Sequence, residues 1–163
     1  MIIGPYAKVW EFSTVRAGSY VGRRVSIGFN CEVTHSYLSA GAVLGHRIGL
    51  NRAIVGADVH LSANVTAAAI HLTTDMRRPD REVILRVESG LYRCGTDRFS
   101  AVIGDGVQTG TGITLAPGTA VGPRTHIGSG VTLPPARVFP AYSLVSASTA
   151  TDISVTCPRR RRP

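Results

Sequence analysis

A six-residue period of large aliphatic residues runs along most of this chain. Between residues 103 and 133 a leading residue, aliphatic except for Thr109, returns at every sixth position, and glycine or alanine usually follows it. Neither an α-helix nor an ordinary alternating strand has this period. The period is typical of a coil of three short, flat strands with about eighteen residues per turn, in which leading side chains point into a narrow prism and glycines occupy the corners.

The same rule holds from residue 3 onward, with two five-residue steps, Val33 to Leu38 and Leu50 to Val55. Residues 3–66 and 103–144 therefore predict about six coils of one parallel β-helix, an all-β fold. The third and sixth residues of each hexad are expected to face outward, where they are available for chemistry.

The period stops between residues 67 and 100. We interpret this segment as a loop excursion from a β-helix domain of residues 1–145, with a short hairpin near residues 82–92 that turns at Glu88-Ser89-Gly90. Long insertions in regular solenoids usually carry function. We therefore expect the excursion to cover a cleft of its own or of a neighbouring subunit.

Composition and net charge limit the classes of molecule that this chain is expected to bind. The length of 163 residues fits one domain, and an aromatic content of only 6% suits a thin stacked prism. The formal charge of +8 predicts a small anionic or polar partner. Residues 146–163, which include four arginines at 159–162, predict an extended basic tail. No aromatic residues alternate with the basic ones, so the sequence does not favour nucleic acid.

Cysteine spacing and the N-terminal residues predict a cytoplasmic protein. The three cysteines show neither a disulfide framework nor a zinc spacing. Met1 is followed by Ile-Ile-Gly-Pro, without a basic region or a long apolar run, so neither a signal peptide nor a membrane span is expected.

Five histidines on a β-helix raise the alternative of a zinc enzyme of the γ-class carbonic anhydrase type. That class needs two histidines four or five residues apart. Here every gap between histidines exceeds ten residues, so no metal is expected.

Three runs of the sequence carry a resemblance to a known family. Leu44-Gly-His-Arg-Ile-Gly-Leu50 and Val55-Gly-Ala-Asp-Val59 resemble the "GHLxYxGDxxIGxxV" run of hexapeptide-repeat acyltransferases. They are most similar to the C-terminal acetyltransferase domain of the bifunctional sugar-1-phosphate nucleotidylyltransferase/acetyltransferases, whose type case is N-acetylglucosamine-1-phosphate uridylyltransferase. The run from Arg86 to Gly110 resembles the archaeal segment that leads back into the helix.

The resemblance covers roughly residues 3–145 and has structural implications. It implies a left-handed β-helix and a homotrimer. These residues hold no counterpart of the nucleotidylyltransferase domain, so its chemistry is not carried over.

The resemblance also implies site residues. In the family the histidine of the GHL run is the general base, and acyl-coenzyme A lies in a groove between subunits. His46 occupies that position, and imidazole is suited to accepting a proton near neutral pH. Small coil residues would bind the coenzyme, and two arginines are candidates for its phosphates because guanidinium can pair with phosphate. These coenzyme-binding residues are Ala63, Thr111, Ser129, Arg124 and Arg137.

The acceptor side departs from the family. His60 aligns with a family asparagine that touches the acceptor, and His35 is expected one coil below Arg52. Arginines of the excursion are expected to meet anionic groups. The candidate acceptor-binding residues are therefore His60, His35, Arg52, Arg77 and Arg78. Gly49 stands where the family has tyrosine, which indicates a changed acceptor.

We therefore predict a stand-alone acyl-coenzyme A-dependent N- or O-acyltransferase with His46 as the base at a subunit interface. Its acceptor would be a polar sugar or aminosugar, a sugar phosphate or a similar nucleotide-linked sugar. Two alternatives stay open. The first is an isomerase, lyase or cyclase that uses the same cleft without coenzyme A. The second is a non-catalytic trimeric scaffold.

Overall fold

The chain winds through three flat parallel sheets, which we call A, B and C. The structure is a computed structural model that describes residues 1–87 and 89–147. Sheets A and B have seven strands each and sheet C has six, so the chain completes six coils and two strands of a seventh. The predicted parallel β-helix is confirmed, and the architecture is consistent with the left-handed form. Most of the predicted basic tail, from residue 148 on, lies outside the described residues.

Each coil contributes one strand of two or three residues to every sheet. Sheet A contains β1 (Ile2–Ile3), β4 (Tyr20–Val21), β7 (Tyr37–Leu38), β10 (Ile54–Val55), β15 (Ala101–Ile103), β18 (Thr119–Val121) and β21 (Val138–Phe139). Sheet B contains β2 (Lys8–Val9), β5 (Ser26–Ile27), β8 (Val43–Leu44), β11 (His60–Leu61), β16 (Gln108–Thr109), β19 (His126–Ile127) and β22 (Leu144–Val145). Sheet C contains β3 (Thr14–Val15), β6 (Glu32–Thr34), β9 (Gly49–Asn51), β12 (Thr66–Ala67), β17 (Thr114–Leu115) and β20 (Thr132–Leu133).

The strand register reproduces the hexad count. Tyr20 pairs with Ile2 one 18-residue coil below and with Tyr37 only 17 residues on. The same shortening recurs between Tyr37 and Ile54, so both predicted five-residue steps are confirmed. Across the excursion, Ile54 pairs with Val102, 48 residues on.

Leading side chains fill the prism because each one stacks on its counterpart a coil away. Val21, Leu38 and Val55, successive in sheet A, are fully buried. Ile3 and Val9 are exceptions, at 47% and 41% exposure, since no coil of this structure lies beneath the first one. Removal of apolar surface from water along this stack is the main force that holds the coils together.

Glycines with a left-handed backbone occupy some corners, as predicted, but residues with a side chain occupy others. Twelve non-glycine residues in the described chain have a left-handed backbone, among them His35, Arg47, Arg52 and Arg124. This conformation costs about 1–2 kcal/mol for a residue with a Cβ. Coil-to-coil hydrogen bonds offset the cost, as where the Arg47 amide donates to the Phe29 carbonyl at 2.9 Å.

The excursion leaves sheet C after β12 and returns to sheet A at β15. It contains an antiparallel hairpin, β13 (Ile84–Val87) and β14 (Gly90–Arg93). Val83 is fully buried, and a Cβ on Gly118 would lie only 2.4 Å from the Ile84 carbonyl oxygen, so the hairpin packs closely on β18.

The base of the hairpin is pinned by one carboxylate. Glu82 accepts hydrogen bonds from Arg93 Nε at 2.7 Å and from the Gly95 amide at 2.8 Å. The hydrogen bond from Arg93 is the main reason that the pKa of Glu82 lies below its usual value. Because of this anchor and the packing on β18, the excursion lies along sheet A.

Candidate active site

His46 lies on the corner between sheets B and C. It follows β8 and is exposed, as its place in the hexad predicts. Its carbonyl accepts the Asn64 amide at 2.9 Å, and Arg47 Nε donates to Asn64 Oδ1 at 2.8 Å. The backbone at His46 is thereby fixed to the next coil while the imidazole stays accessible.

A groove of about 460 Å³ opens beside His46, and we call it the His46 groove. Its lining residues come from the first four coils: Trp10, Glu11, Ser26, Gly28, Phe29, Val43, Leu44, Gly45, His46 and His60. Trp10 Nε1 donates to Ser26 Oγ at 3.2 Å, which fixes the indole against sheet B. The fold therefore brings His46 and His60, two of the candidate residues, into one groove.

Three of the predicted coenzyme-binding residues stack above His46 on the same corner, and we call Ala63, Thr111 and Ser129 the small-residue column. The Gly112 amide donates to the Ala63 carbonyl at 3.0 Å, and the Gly130 amide donates to the Thr111 carbonyl at 2.8 Å. Ser129 Oγ also accepts the Thr111 amide at 3.1 Å. At about 4.8 Å per coil, the column extends roughly 14 Å from His46 along the axis.

The remaining candidates on the coils lie on the other two corners. Arg124 is exposed between sheets A and B, in a polar groove with Asp58 and Asp105. The guanidinium of Arg137, between sheets C and A, lies 5.6 Å from the centre of the Phe139 ring. His35 and Arg52, predicted to be neighbours, do line one groove, at the corner between sheets C and A.

Arg77 and Arg78 are exposed on the excursion. Asp75 holds this turn, because its carboxylate accepts the Arg77 amide at 2.9 Å and its carbonyl accepts the Arg78 amide at 3.1 Å. No excursion residue lines the His46 groove. Within one subunit the groove is therefore left open.

The sequence analysis missed three residues of the His46 groove. Phe29 lies one coil below His46 on the same corner, since the Arg47 amide donates to the Phe29 carbonyl at 2.9 Å. Glu11 lies two coils below, since the Asn30 amide donates to the Glu11 carbonyl at 3.1 Å. Trp10 precedes them on the same corner. The coil register places all three on this corner, but the rule that large apolar residues lie inside does not predict Trp10 and Phe29 as exposed groove walls.

Two structural findings bear on the predicted absence of a metal and of a membrane span. In residues 1–87 and 89–147 no group of three or more histidine, cysteine, aspartate or glutamate side chains is placed to hold a metal ion. No helix in the same ranges is long and apolar enough to cross a membrane.

The repeated sequence of these coils also occurs in known proteins. Residues 100–135 match the family model described as bacterial transferase hexapeptide (six repeats). The matched residues are the coils that resume after the excursion, in which the period is clearest. This part of the chain is therefore similar to the repeats of that family.

Two curated relatives of this chain carry acetyltransferase names. It is 26% identical over 113 residues to the uncharacterized acetyltransferase YaiX of Escherichia coli (strain K12), which covers 69% of this chain and 46% of YaiX. It is 25% identical over 115 residues to the bifunctional sugar-1-phosphate nucleotidylyltransferase/acetyltransferase of Sulfurisphaera tokodaii, covering 71% of this chain and 27% of that enzyme. The chain thus spans less than half the length of either relative.

Among solved structures, the chain resembles the acetyltransferase domain of PglB from Neisseria gonorrhoeae FA1090. The TM-score is 0.63 at 16% identity, over 88% of this chain and 55% of that chain. At this identity the likeness shows the shared fold alone.

Proposed function

We propose that this chain is an acyltransferase that moves an acyl group from acyl-coenzyme A to an amino or hydroxyl group of a polar acceptor. The observation that carries the proposal is the alignment of exposed His46 with the small-residue column on one corner of the prism. The names of the two curated relatives support the same class of reaction.

His46 supplies the base. Its imidazole takes the proton from the acceptor nitrogen or oxygen as that atom attacks the acyl carbon, and general-base catalysis of this kind contributes about a hundredfold to ten-thousandfold to a rate. The imidazolium then returns the proton to the departing sulfur. His60 lines the same groove, which supports a role for it in binding the acceptor.

The small-residue column suits an extended coenzyme arm. When bound, acyl-coenzyme A supplies an activated thioester carbonyl. Ala63 is half-buried while Thr111 and Ser129 are exposed, so the column presents a shallow track with two hydroxyl groups. Bulky side chains at these three positions would block a slender chain that follows the axis.

The acceptor is proposed to be a sugar, an aminosugar, a sugar phosphate or a nucleotide-linked sugar. The net charge of +8 supports an anionic group on it, and the name of the Sulfurisphaera relative includes a sugar 1-phosphate. A Cβ on Gly49, three residues after His46, would meet nothing within 4 Å. This open surface leaves room for an acceptor larger than an unmodified monosaccharide phosphate.

We place the reaction between subunits of a homotrimer. Within one chain the His46 groove is open, and Arg124 and Arg137 lie on other corners. A neighbouring copy would supply the second wall and could bring these arginines to the coenzyme phosphates. Light scattering at micromolar concentration should give three times the chain mass, and a stable monomer would contradict this arrangement.

Release of the coenzyme thiol tests the proposal. The protein is mixed with acetyl-coenzyme A and a panel of aminosugars and sugar phosphates, and the thiol is measured with dithiopyridine. His46→Ala should lower turnover about a hundredfold to ten-thousandfold. His126→Ala is the matched control, because His126 is also exposed on sheet B but lies outside the groove.

Each alternative predicts a different outcome of the same assay. A fully active His46→Ala variant would remove His46 from the mechanism and make His60 the next base to test. Product that forms without any coenzyme would favour an isomerase, lyase or cyclase. Brisk acetylation of glucosamine 1-phosphate would contradict the changed acceptor.

A further inference from the structure

A second groove lies on a different corner from His46 and contains neither His46 nor the small-residue column, although it includes His35 and Arg52, which the sequence predicted to bind the acceptor. It has a volume of about 470 Å³ and is formed where the returning excursion meets the corner between sheets C and A. We call it the tyrosine–arginine groove. Its side-chain lining includes Tyr20, His35, Tyr37, Arg52, Ile54, Thr96, Arg98 and Phe99.

One wall of this groove is aromatic. Tyr20 and Tyr37 are register partners in sheet A, and their rings stack with centres 4.7 Å apart and planes within 9° of parallel. Both remain partly exposed, at 37% and 45%. Phe99 contributes a third, half-buried ring from the excursion. Such a wall favours a ligand with a flat ring, because stacking adds to the gain from simple burial.

The other side of the groove is cationic. Arg52 and Arg98 are both half-buried. Within the described residues, Arg52 forms no salt bridge, although its Nη1 donates to Asn51 Oδ1 at 3.0 Å. Arg98 pairs only with Asp97, at 4.0 Å. A guanidinium keeps its charge at every physiological pH, and partial burial of Arg52 without a counter-charge is costly. An anion held by paired hydrogen bonds would remove that cost.

The corner that carries these groups is firmly held. The Ser100 amide and hydroxyl both donate to the Arg52 carbonyl, at 3.0 and 3.2 Å. His35 lies directly over Gly18, since a Cβ on that glycine would be 2.5 Å from the imidazole Cδ2. The Phe99 amide donates to the Ala69 carbonyl at 3.0 Å, which closes the excursion at this point. The groove is therefore built by the fold rather than by mobile side chains alone.

From this arrangement we infer that the tyrosine–arginine groove binds a nucleoside diphosphate, with the base against the aromatic wall and the phosphates on Arg52 and Arg98. The inference is independent of acyl transfer and of the role of His46. Two ligands carry this chemistry, a nucleotide-linked sugar and the nucleotide end of coenzyme A.

Calorimetric titration of the full chain with UDP and with ADP tests the inference. Arg52→Gln and Arg98→Gln should each weaken nucleotide binding at least tenfold, since each removes paired hydrogen bonds to phosphate. Arg24→Gln is the matched control, because Arg24 is an exposed corner arginine with φ of 56°, close to the 54° of Arg52. It should bind within twofold of the parent chain. Arg98 lies outside the coils, so its variant keeps the test valid if Arg52→Gln fails to fold.

Three results would overturn the inference. They are no binding of either nucleotide at millimolar concentration, unchanged binding by both arginine variants, and inorganic phosphate binding as tightly as UDP. The last would leave an anion site without recognition of a base. Tyr37→Leu gives a further check, since it should weaken UDP and leave inorganic phosphate unaffected.

Competition between coenzyme A and UDP distinguishes the two possible ligands, the coenzyme and a nucleotide-linked sugar. If coenzyme A displaces UDP and Arg52→Gln weakens both, the groove holds the nucleotide end of the coenzyme. If UDP binds equally well with saturating coenzyme A present, the groove serves a nucleotide-linked acceptor. His46→Asn should leave UDP binding unchanged in either case, so failure of the proposed reaction and failure of this site are distinguishable.

Discussion

The two grooves of this molecule are built in different ways. Every residue that lines the His46 groove belongs to the coils, and the column beside it repeats at the coil spacing. The tyrosine–arginine groove has one wall from the coils and one, including Arg98 and Phe99, from the excursion. The first groove is thus a property of the repeat, whereas the second exists only because the repeat is interrupted.

This difference suggests that the coils mainly provide stability and that the excursion mainly provides ligand specificity. A coil position is constrained by the residues one coil above and below it, so a groove made of coils changes only within narrow limits. The excursion is constrained at its base by Glu82 and by the pairing of Ala69 with Phe99. Between these anchors the chain is less tightly specified, which suits a region that recognises a variable ligand.

The largest expected effect comes from removing the excursion. Because the Ala69 carbonyl and the Phe99 amide are already 3.0 Å apart, a Gly-Gly-Ser linker can replace residues 70–98 without stretching the coil. UDP binding measured by calorimetry should fall at least a hundredfold, since Thr96 and Arg98 are lost and only Phe99 remains of the wall that the excursion contributes. His46-dependent thiol release at saturating coenzyme should persist.

Loss of thiol release with retained folding in this shortened chain would show that the excursion also completes the His46 groove, for example across a subunit interface. Retained UDP binding would show that the coil wall alone recognises the nucleotide. Either result would contradict the conclusion that the His46 groove is independent of the excursion and that the tyrosine–arginine groove depends on it.

Most of the features that could be predicted, namely the coils and the residues that are neighbours one coil apart, follow from the six-residue period of the sequence. The two short steps after Val33 and Leu50 correctly forecast a 17-residue register. The same counting placed His35 one coil below Arg52, and both residues line one groove. These predictions needed only neighbours one coil apart, and the hexads fix those neighbours.

Other features depend on contacts that no local pattern encodes. The exposed apolar walls of the His46 groove, Trp10 and Phe29, break the rule that large apolar residues lie inside. Arg98 and Phe99 reach the tyrosine–arginine groove through the path of a thirty-residue loop with no period. The left-handed corners occupied by arginine and tyrosine were also missed, because the rule for such positions favours glycine.

Replacing a glycine by alanine should destabilise the protein more in the His46 groove than in the tyrosine–arginine groove. This effect is smaller than that of removing the excursion and concerns stability alone. A Cβ on Gly28, in the His46 groove, would lie 1.6 Å from the Gly45 carbonyl oxygen, so the coils would have to separate. A Cβ on Gly18, below the second groove, would instead meet the His35 ring, a side chain that can move, at the cost of a left-handed φ of 78°. The control is Gly49, where a Cβ meets nothing within 4 Å.

Urea denaturation measures the result. Gly28→Ala should lower the free energy of unfolding by about 3 kcal/mol or more, at or beyond the usual range for overpacking. Gly18→Ala should lower it by about 1–2 kcal/mol, the cost of the left-handed conformation. Gly49→Ala should stay within about 0.5 kcal/mol of the parent. Equal losses for Gly28→Ala and Gly49→Ala would mean that the coils are not packed as described.

The smallest expected effect is a dependence of stability on pH that originates in the excursion. His71 is buried, and this burial, together with the charge of Arg81, lowers its pKa below the usual value. Folded His71 therefore resists protonation, while the unfolded chain takes up the proton below about pH 6.5. The stability due to neutral His71 is complete above that pH and is lost as the pH falls toward the lower folded pKa.

Urea unfolding at pH 7.5 and 5.5 measures this dependence. Between these two pH values the free energy of unfolding should fall more for the parent chain than for His71→Gln. His126→Gln, which changes an exposed histidine of the coils, should keep the parent's pH dependence. If His71→Gln showed the same loss as the parent, the buried His71 imidazole would not be the origin of the dependence.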